Sequence, residues 1–101
     1  MQLSEKQLRF LRGRAHALKP IIQLGHKALS PGVIAETKRA LRDHELIKLR
    51  VQGMDRDTRD ATLAELVAAT DCVLVTRIGH VAVLFKANEK LSKIPLPDAP
   101  S

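Results

Sequence analysis

The side chains in this sequence that could carry chemistry are four histidines, one cysteine and a short run of basic and small residues after Leu24. A metal-independent ribonuclease would need a general base, a general acid and a cation around one phosphate. His26, Lys27 and His44 are the candidates for that set, and nothing in their spacing brings them together. His16, His26, His44 and His80 are not within local metal-ligand spacing of one another, such as HxxxH. Cys72 is the only cysteine, which excludes an internal disulfide and a Cys-based zinc site. It opens an apolar run and reads as a buried structural thiol. Ser4, Ser30 and Ser92 have no local base signature for nucleophilic catalysis. The sequence therefore predicts no catalytic residues, no metal and no cofactor. His26 has two open readings, a hydrogen bond to phosphate or an incidental exposed histidine. His44, before Glu45 at a helix end, reads as a mild stabiliser of that terminus.

Binding is better supported. In Lys19-Pro20-Ile21-Ile22-Gln23-Leu24-Gly25-His26-Lys27-Ala28-Leu29-Ser30-Pro31-Gly32, an apolar run of strand length stops at Gly25 and a basic loop follows. Ser30 then stands as N-cap before Pro31, a first helical residue whose missing N–H costs nothing. A strand end, a glycine and a helix N-terminus place several backbone N–H groups at one surface point. The helix dipole and Lys27 add positive charge there, which suits phosphate. No GK[ST] and no GxGxxG follow, so nucleotide binding is disfavoured. A loop that clamps a nucleic-acid backbone needs only donors, close approach and charge.

The elements that position this loop follow from periodicity. Ser4 and Gln7 form a capping box, with Leu3 and Leu8 as the staple around it. Leu8, Leu11, Ala15 and Leu18 make an apolar stripe, and the helix must end before Pro20. Residues 20–24 read as the first strand, and residues 31–43 as a second helix with Val33, Ile34, Thr37 and Leu41 inward. Residues 46–51 alternate, with Ile47, Leu49 and Val51 on one face and Lys48 and Arg50 on the other. A third helix starts near Asp55 or Asp57 and presents Leu63, Leu66 and Val67 to the core. Residues 72–78 and 81–87 form a hairpin about Gly79-His80. Residues 81–85 are all apolar, which predicts a central strand covered on both faces. Arg77 is read as opposite Lys86 in this hairpin. Each of Lys48, Arg50, Arg77 and Lys86 alone is an ordinary solvent-facing charge, but with Lys27 they would converge on one surface.

The expected order is helix-strand-helix-strand-helix-strand-strand, giving a four-stranded mixed sheet packed with three helices. Its class is α/β, or α+β by some conventions. The 101 residues form a single domain over residues 1–87. A tail over 88–101 carries Pro95, Pro97 and Pro100 and is expected to be loosely ordered.

Charge and composition then restrict the partner. Residues 1–50 hold eleven Lys/Arg against four carboxylates, a balance of +7, whereas residues 51–101 hold six against seven, a balance of −1. Basicity gathered in one half suits a polyanion, although a solvated basic surface would read the same way. Phe10 and Phe85 are the only aromatics. Base-stacking modes that rely on exposed aromatic platforms therefore lack material, and contact should run through backbone charge and shape. Glu5 falls early with no apolar h-region after it, and the longest apolar run is far too short for a bilayer, so a cytoplasmic protein without a membrane partner is expected.

Several separate segments, in order, resemble the bacterial YhbY family, the stand-alone form of the CRM domain. They are Leu3-Ser4-Glu5-Lys6-Gln7, Ala15-His16-Ala17-Leu18-Lys19-Pro20, the Leu24-Gly25 loop entry and His44-Glu45-Leu46-Ile47-Lys48. Val75-Thr76-Arg77-Ile78-Gly79 and Val83-Leu84-Phe85-Lys86 complete the match. The resemblance implies a non-enzymatic RNA-binding domain associated with precursors of the large ribosomal subunit. It also implies a fold similar to the C-terminal domain of bacterial translation initiation factor three. The family's GxxG loop, proposed to contact RNA, maps to Gly25-His26-Lys27-Ala28. Ala28 stands where the family usually has a second glycine, and is expected at negative φ.

The resulting expectation is a cytoplasmic protein that binds ribosomal RNA precursor and assists large-subunit assembly, with no small-molecule substrate. Its RNA-contact set is Lys19, Gly25, His26, Lys27, Ala28, Ser30, Lys48, Arg50, Arg77 and Lys86. The alternatives are a general nucleic-acid or nucleoid-associated protein and, from another class, the His26/His44 ribonuclease.

Overall fold

The computed structural model describes residues 2–25, 29–88 and 94–97. Its elements run α1 (Glu5–Ala15), β1 (Ile22–Leu24), α2 (Pro31–His44), β2 (Leu46–Val51), α3 (Arg56–Thr70), β3 (Val73–Ile78) and β4 (Val81–Phe85). The strands form one sheet in the order β1-β2-β4-β3, with β1 parallel to β2 and both β4 pairings antiparallel. The expected element order, a four-stranded mixed sheet with three helices, is the one observed, and of the two class names α+β describes it.

Each helix starts where its cap dictates. Ser4 Oγ accepts from Gln7 N at 3.1 Å while Gln7 Oε1 accepts from Ser4 N at 3.0 Å, the reciprocal box that satisfies two terminal donors. Ser30 caps α2 and Asp55 caps α3, each accepting from the backbone N–H three residues on. That hydrogen bond from Thr58 holds the Asp55 carboxyl below its usual value.

Strand alternation divides the core into two layers. Ile47, Leu49, Val51, Ala82 and Leu84 point toward α2 and α3, where Leu41, Leu63 and Leu66 meet them. Leu46, Val83 and Phe85 point the other way, under Leu11 and Ala15 of α1. β4 thus lies in the middle of the sheet with helices on both faces, as its unbroken apolar run predicts. Positive φ at Gly79, 58°, lets a two-residue turn close the hairpin with Ile78 opposite Val81.

Three expectations are corrected. Strand β1 is three residues long, not five, because Pro20, which has no N–H to donate, and Ile21 stay outside the paired register. The two-residue turn puts Arg77 opposite Ala82, not Lys86, which lies beyond the end of β4. Residues 94–97 are docked: Ile94 is buried in the α1 layer, Leu96 packs against the same cluster, and Gln7 Nε2 donates to Pro97 O at 3.0 Å. The prolines there interrupt an alternation of apolar residues that inserts beside α1.

Among the described residues four polar ones, Thr37, Glu45, Arg59 and Thr70, are also buried. Thr37 and Thr70 return their hydroxyls to carbonyls one turn back, Val33 O and Leu66 O, each at 2.8 Å. Glu45 is the sole residue between α2 and β2, and reversing the chain in one step forces φ to 64° with ψ at −43°. Its carboxylate accepts from Asn88 N at 2.7 Å, its N–H donates to Leu41 O, and its carbonyl accepts from Lys86 N. So many fixed partners hold a backbone conformation that L residues avoid.

Candidate nucleic-acid interface

The loop entry is built by β1 and α2. Gly25 follows Leu24 and is exposed, and a Cβ placed on it would meet nothing within 4 Å. Neither crowding nor a left-handed φ demands glycine here; its effect is to leave bare backbone within reach. Ser30, Pro31 and Gly32 are exposed, and the first turn of α2 has no acidic residue to oppose an anion. His26, Lys27 and Ala28, including the expected negative φ of Ala28, lie outside the described residues.

Beside this loop entry the sheet presents, among the described residues, an uncovered half on the α1 side. Gln23 pairs with Arg50, Arg50 with Val81, and Val81 with Ile78, so these four side chains form one row on one face. The next row runs through Lys48, Val83 and Thr76, and Ile21 N–H bonds Lys48 O at its margin. α1 covers the far end of the sheet, over Leu46 and Phe85, and leaves Ile21 at 50% and Ile78 at 72% exposure. Among the described residues neither Lys48 nor Arg50 makes an ion pair. Lys19 closes the same surface: it shares one shallow concavity with Ile21 and Arg50, and another with Lys48, Arg14 and His44. Arg14 was not among the predicted contacts. Its signal was its place in the last turn of α1, just before the Lys19 stretch. Asp43 is the acidic residue on that rim.

The structure thus brings together Lys19, Lys48 and Arg50, but neither Arg77 nor Lys86 joins them. Arg77 follows Thr76 on β3, so it points toward α3. There its Nε sits 2.6 Å from Asp60 Oδ1, and one terminal nitrogen donates to Gly79 O at 3.1 Å. Lys86 lies beyond the opposite end of β4, with Nζ 3.4 Å from Thr70 O.

Of the groups weighed for chemistry, those among the described residues lie apart from one another. His44 ends α2, about 21 Å along its axis from the loop end. His80 Nδ1 lies 3.2 Å from Val51 O and 3.3 Å from an Arg59 terminal nitrogen. Donating to the first ties the hairpin turn to the end of β2, and accepting from the second ties it to α3. Burial pushes the Cys72 thiol up, against the hydrogen-bonding contact its sulfur makes with Thr70 Oγ1 at 3.2 Å. Among the described residues no group of three His, Cys, Asp or Glu side chains could hold a metal ion, and no helix is long and apolar enough to cross a membrane.

Comparison with known proteins places this geometry among relatives. Residues 3–86 match the CRS1/YhbY (CRM) domain. A Haemophilus influenzae protein named as an RNA-binding protein is 45% identical over 95 residues, covering 94% of this chain and 95% of that one. "Probable RNA-binding protein YqeI" of Bacillus subtilis is 40% identical over 96 residues, covering 94% and 99%. The solution structure of the Staphylococcus aureus protein SAV1595, described as a candidate RNA-binding protein, superposes with a TM-score of 0.80 at 32% identity. That match covers 95% of this chain and all of the other.

Proposed function

The chain belongs to the CRS1/YhbY (CRM) domain family, and on that premise we propose that it is a non-enzymatic RNA-binding protein assisting assembly of the large ribosomal subunit. The observation that carries the reading is the uncovered sheet half. Lys19, Lys48 and Arg50 stand there without ion pairs among the described residues, beside an exposed glycine and a helix N-terminus free of acidic residues. Phosphates of a structured RNA are captured by the three cations. Gly25 and Ser30 mark the entrance through which the backbone approaches the start of α2, and His26, Lys27 and Ala28 complete the grip. With only two aromatic residues, Phe85 buried and Phe10 packed against the α1 layer, recognition runs through backbone and shape.

Precursor ribosomal RNA in the cytoplasm is the proposed target. Ultraviolet crosslinking in cells, followed by mapping of the bound RNA, tests this directly. Enrichment over large-subunit precursor RNA is expected. Crosslinks spread evenly over cellular RNA, or equal competition by duplex DNA in vitro, would favour a general nucleic-acid binder instead.

A further inference from the structure

On the opposite face of the sheet a second cationic concavity lies between α2 and the exit of β4. Lys38 and Arg42, one helical turn apart on α2, stand over it on one side and Lys86 on the other. Leu41 and Ala87 form an apolar floor, and Thr70 and Asn88 supply polar walls. Among the described residues no carboxylate lines it. Asp71 Oδ2 lies 3.9 Å from Lys86 Nζ, and with the two side chains 93% and 46% exposed that pair holds Lys86 weakly. Among the described residues Lys38 and Arg42 make no ion pair.

We propose that this groove is a second phosphate-binding site, which rests on the RNA-binding role proposed above, and that one chain thereby bridges two separate RNA segments. The separation follows from the fold. Arg50 faces the α1 side, whereas α2 and its Lys38 and Arg42 cover the other face. Along the sheet, Val81 pairs with Arg50, and Lys86 lies five residues further on, about 17 Å at strand rise. A single extended phosphate run cannot lie on both surfaces without turning around the edge of the sheet. Within the groove, three cations around an apolar floor suit an alternation of phosphate and ribose or base.

The test uses the intact chain, a short single-stranded RNA for stoichiometry, and a donor-labelled and an acceptor-labelled RNA hairpin for bridging. The wild-type chain should bind two short RNAs and bring the two hairpins within energy-transfer range. A Lys38→Gln/Arg42→Gln chain, whose replacements keep helix propensity, should fall to one RNA and lose energy transfer while retaining affinity at the other face. Lys48→Gln/Arg50→Gln should likewise retain only the groove site. Thermal melting confirms the fold of each, and Lys86→Met supplies a groove variant outside the helices. Saturation of wild type at one RNA, or undiminished bridging by the groove variants, overturns the proposal and leaves the proposed function standing. Loss of all RNA binding in the groove variants with no loss in Lys48→Gln/Arg50→Gln would instead remove the first face from the account. If the groove variants lose affinity for a polyglutamate peptide but none for RNA, the groove serves an acidic protein and the proposal fails.

Discussion

At its N-terminal end, α2 begins with an exposed Ser30 that closes the cap through one hydrogen bond, from Val33 N at 3.1 Å, next to an exposed glycine and no acidic side chain. At its C-terminal end the same helix stops on Glu45, fully buried, at φ 64°, with its N–H bonded back to Leu41 O and its carbonyl and carboxylate bonded to the segment after β4. The second end joins α2, β2 and the exit of β4 into one rigid corner. The first end leaves donors facing solvent. Strain is thus concentrated where the fold is fixed, and unmet hydrogen-bonding capacity is concentrated where a ligand can reach it.

The comparison predicts unequal responses to mutation. Glu45→Ala keeps the strained φ but strands the Asn88 N–H, so it should cost about 1–3 kcal/mol. In a domain of this size that lowers Tm by roughly 4–8 °C per kcal/mol, measurable by thermal melting, with RNA affinity of the folded chain unchanged. Glu45→Gly should recover roughly 1 kcal/mol of the loss by relieving the backbone. A Glu45→Ala variant as stable as wild type would dissolve the contrast between the two ends.

Ser30→Ala removes one exposed cap and should cost about 1 kcal/mol by the same melts. Because Ser30 also stands at the entrance to the loop, RNA affinity should fall with it, unlike at Glu45. Smallest is Ala28→Gly. With Ala28 at negative φ it should lower stability by about 0.4–1 kcal/mol through the entropy of the unfolded chain, and leave RNA binding nearly unchanged. A stabilised Ala28→Gly chain would reveal a left-handed residue there, and the loop would then have the usual family geometry held under strain.

Much of this architecture was legible because local signals agreed with one another. The alternation over Leu46–Val51 fixes both the extent of β2 and the face of Lys48 and Arg50, and the unbroken apolar run over Val81–Phe85 marks the central strand. The capping residues place the first two helix starts, and of the two candidates for the third, Asp55 is the cap. Glu45 was not legible as a core residue, because its burial depends on a one-residue connection and on Asn88 arriving from distant sequence. Arg59 was hidden for a similar reason, its partner His80 being supplied by a turn twenty-one residues away. The docked 94–97 segment was masked by its prolines, although Ile94 and Leu96 keep the spacing of a packed extended chain. For the site, strand faces were readable and convergence was not. Lys48 and Arg50 share a face by alternation alone, whereas placing Lys86 required the register of a hairpin and the position of α2.

The central claim is that Lys19, Lys48 and Arg50 hold RNA by its phosphates. Its most direct measurement is the salt dependence of affinity for a structured RNA, in wild type and in Lys48→Gln/Arg50→Gln. If about five phosphates are neutralised, log affinity should fall against log salt with a slope of roughly −3.5 to −4.5, and the double variant should flatten it by about 1.4–1.8. A wild-type slope near zero, or one that the double variant leaves unchanged, would contradict the account.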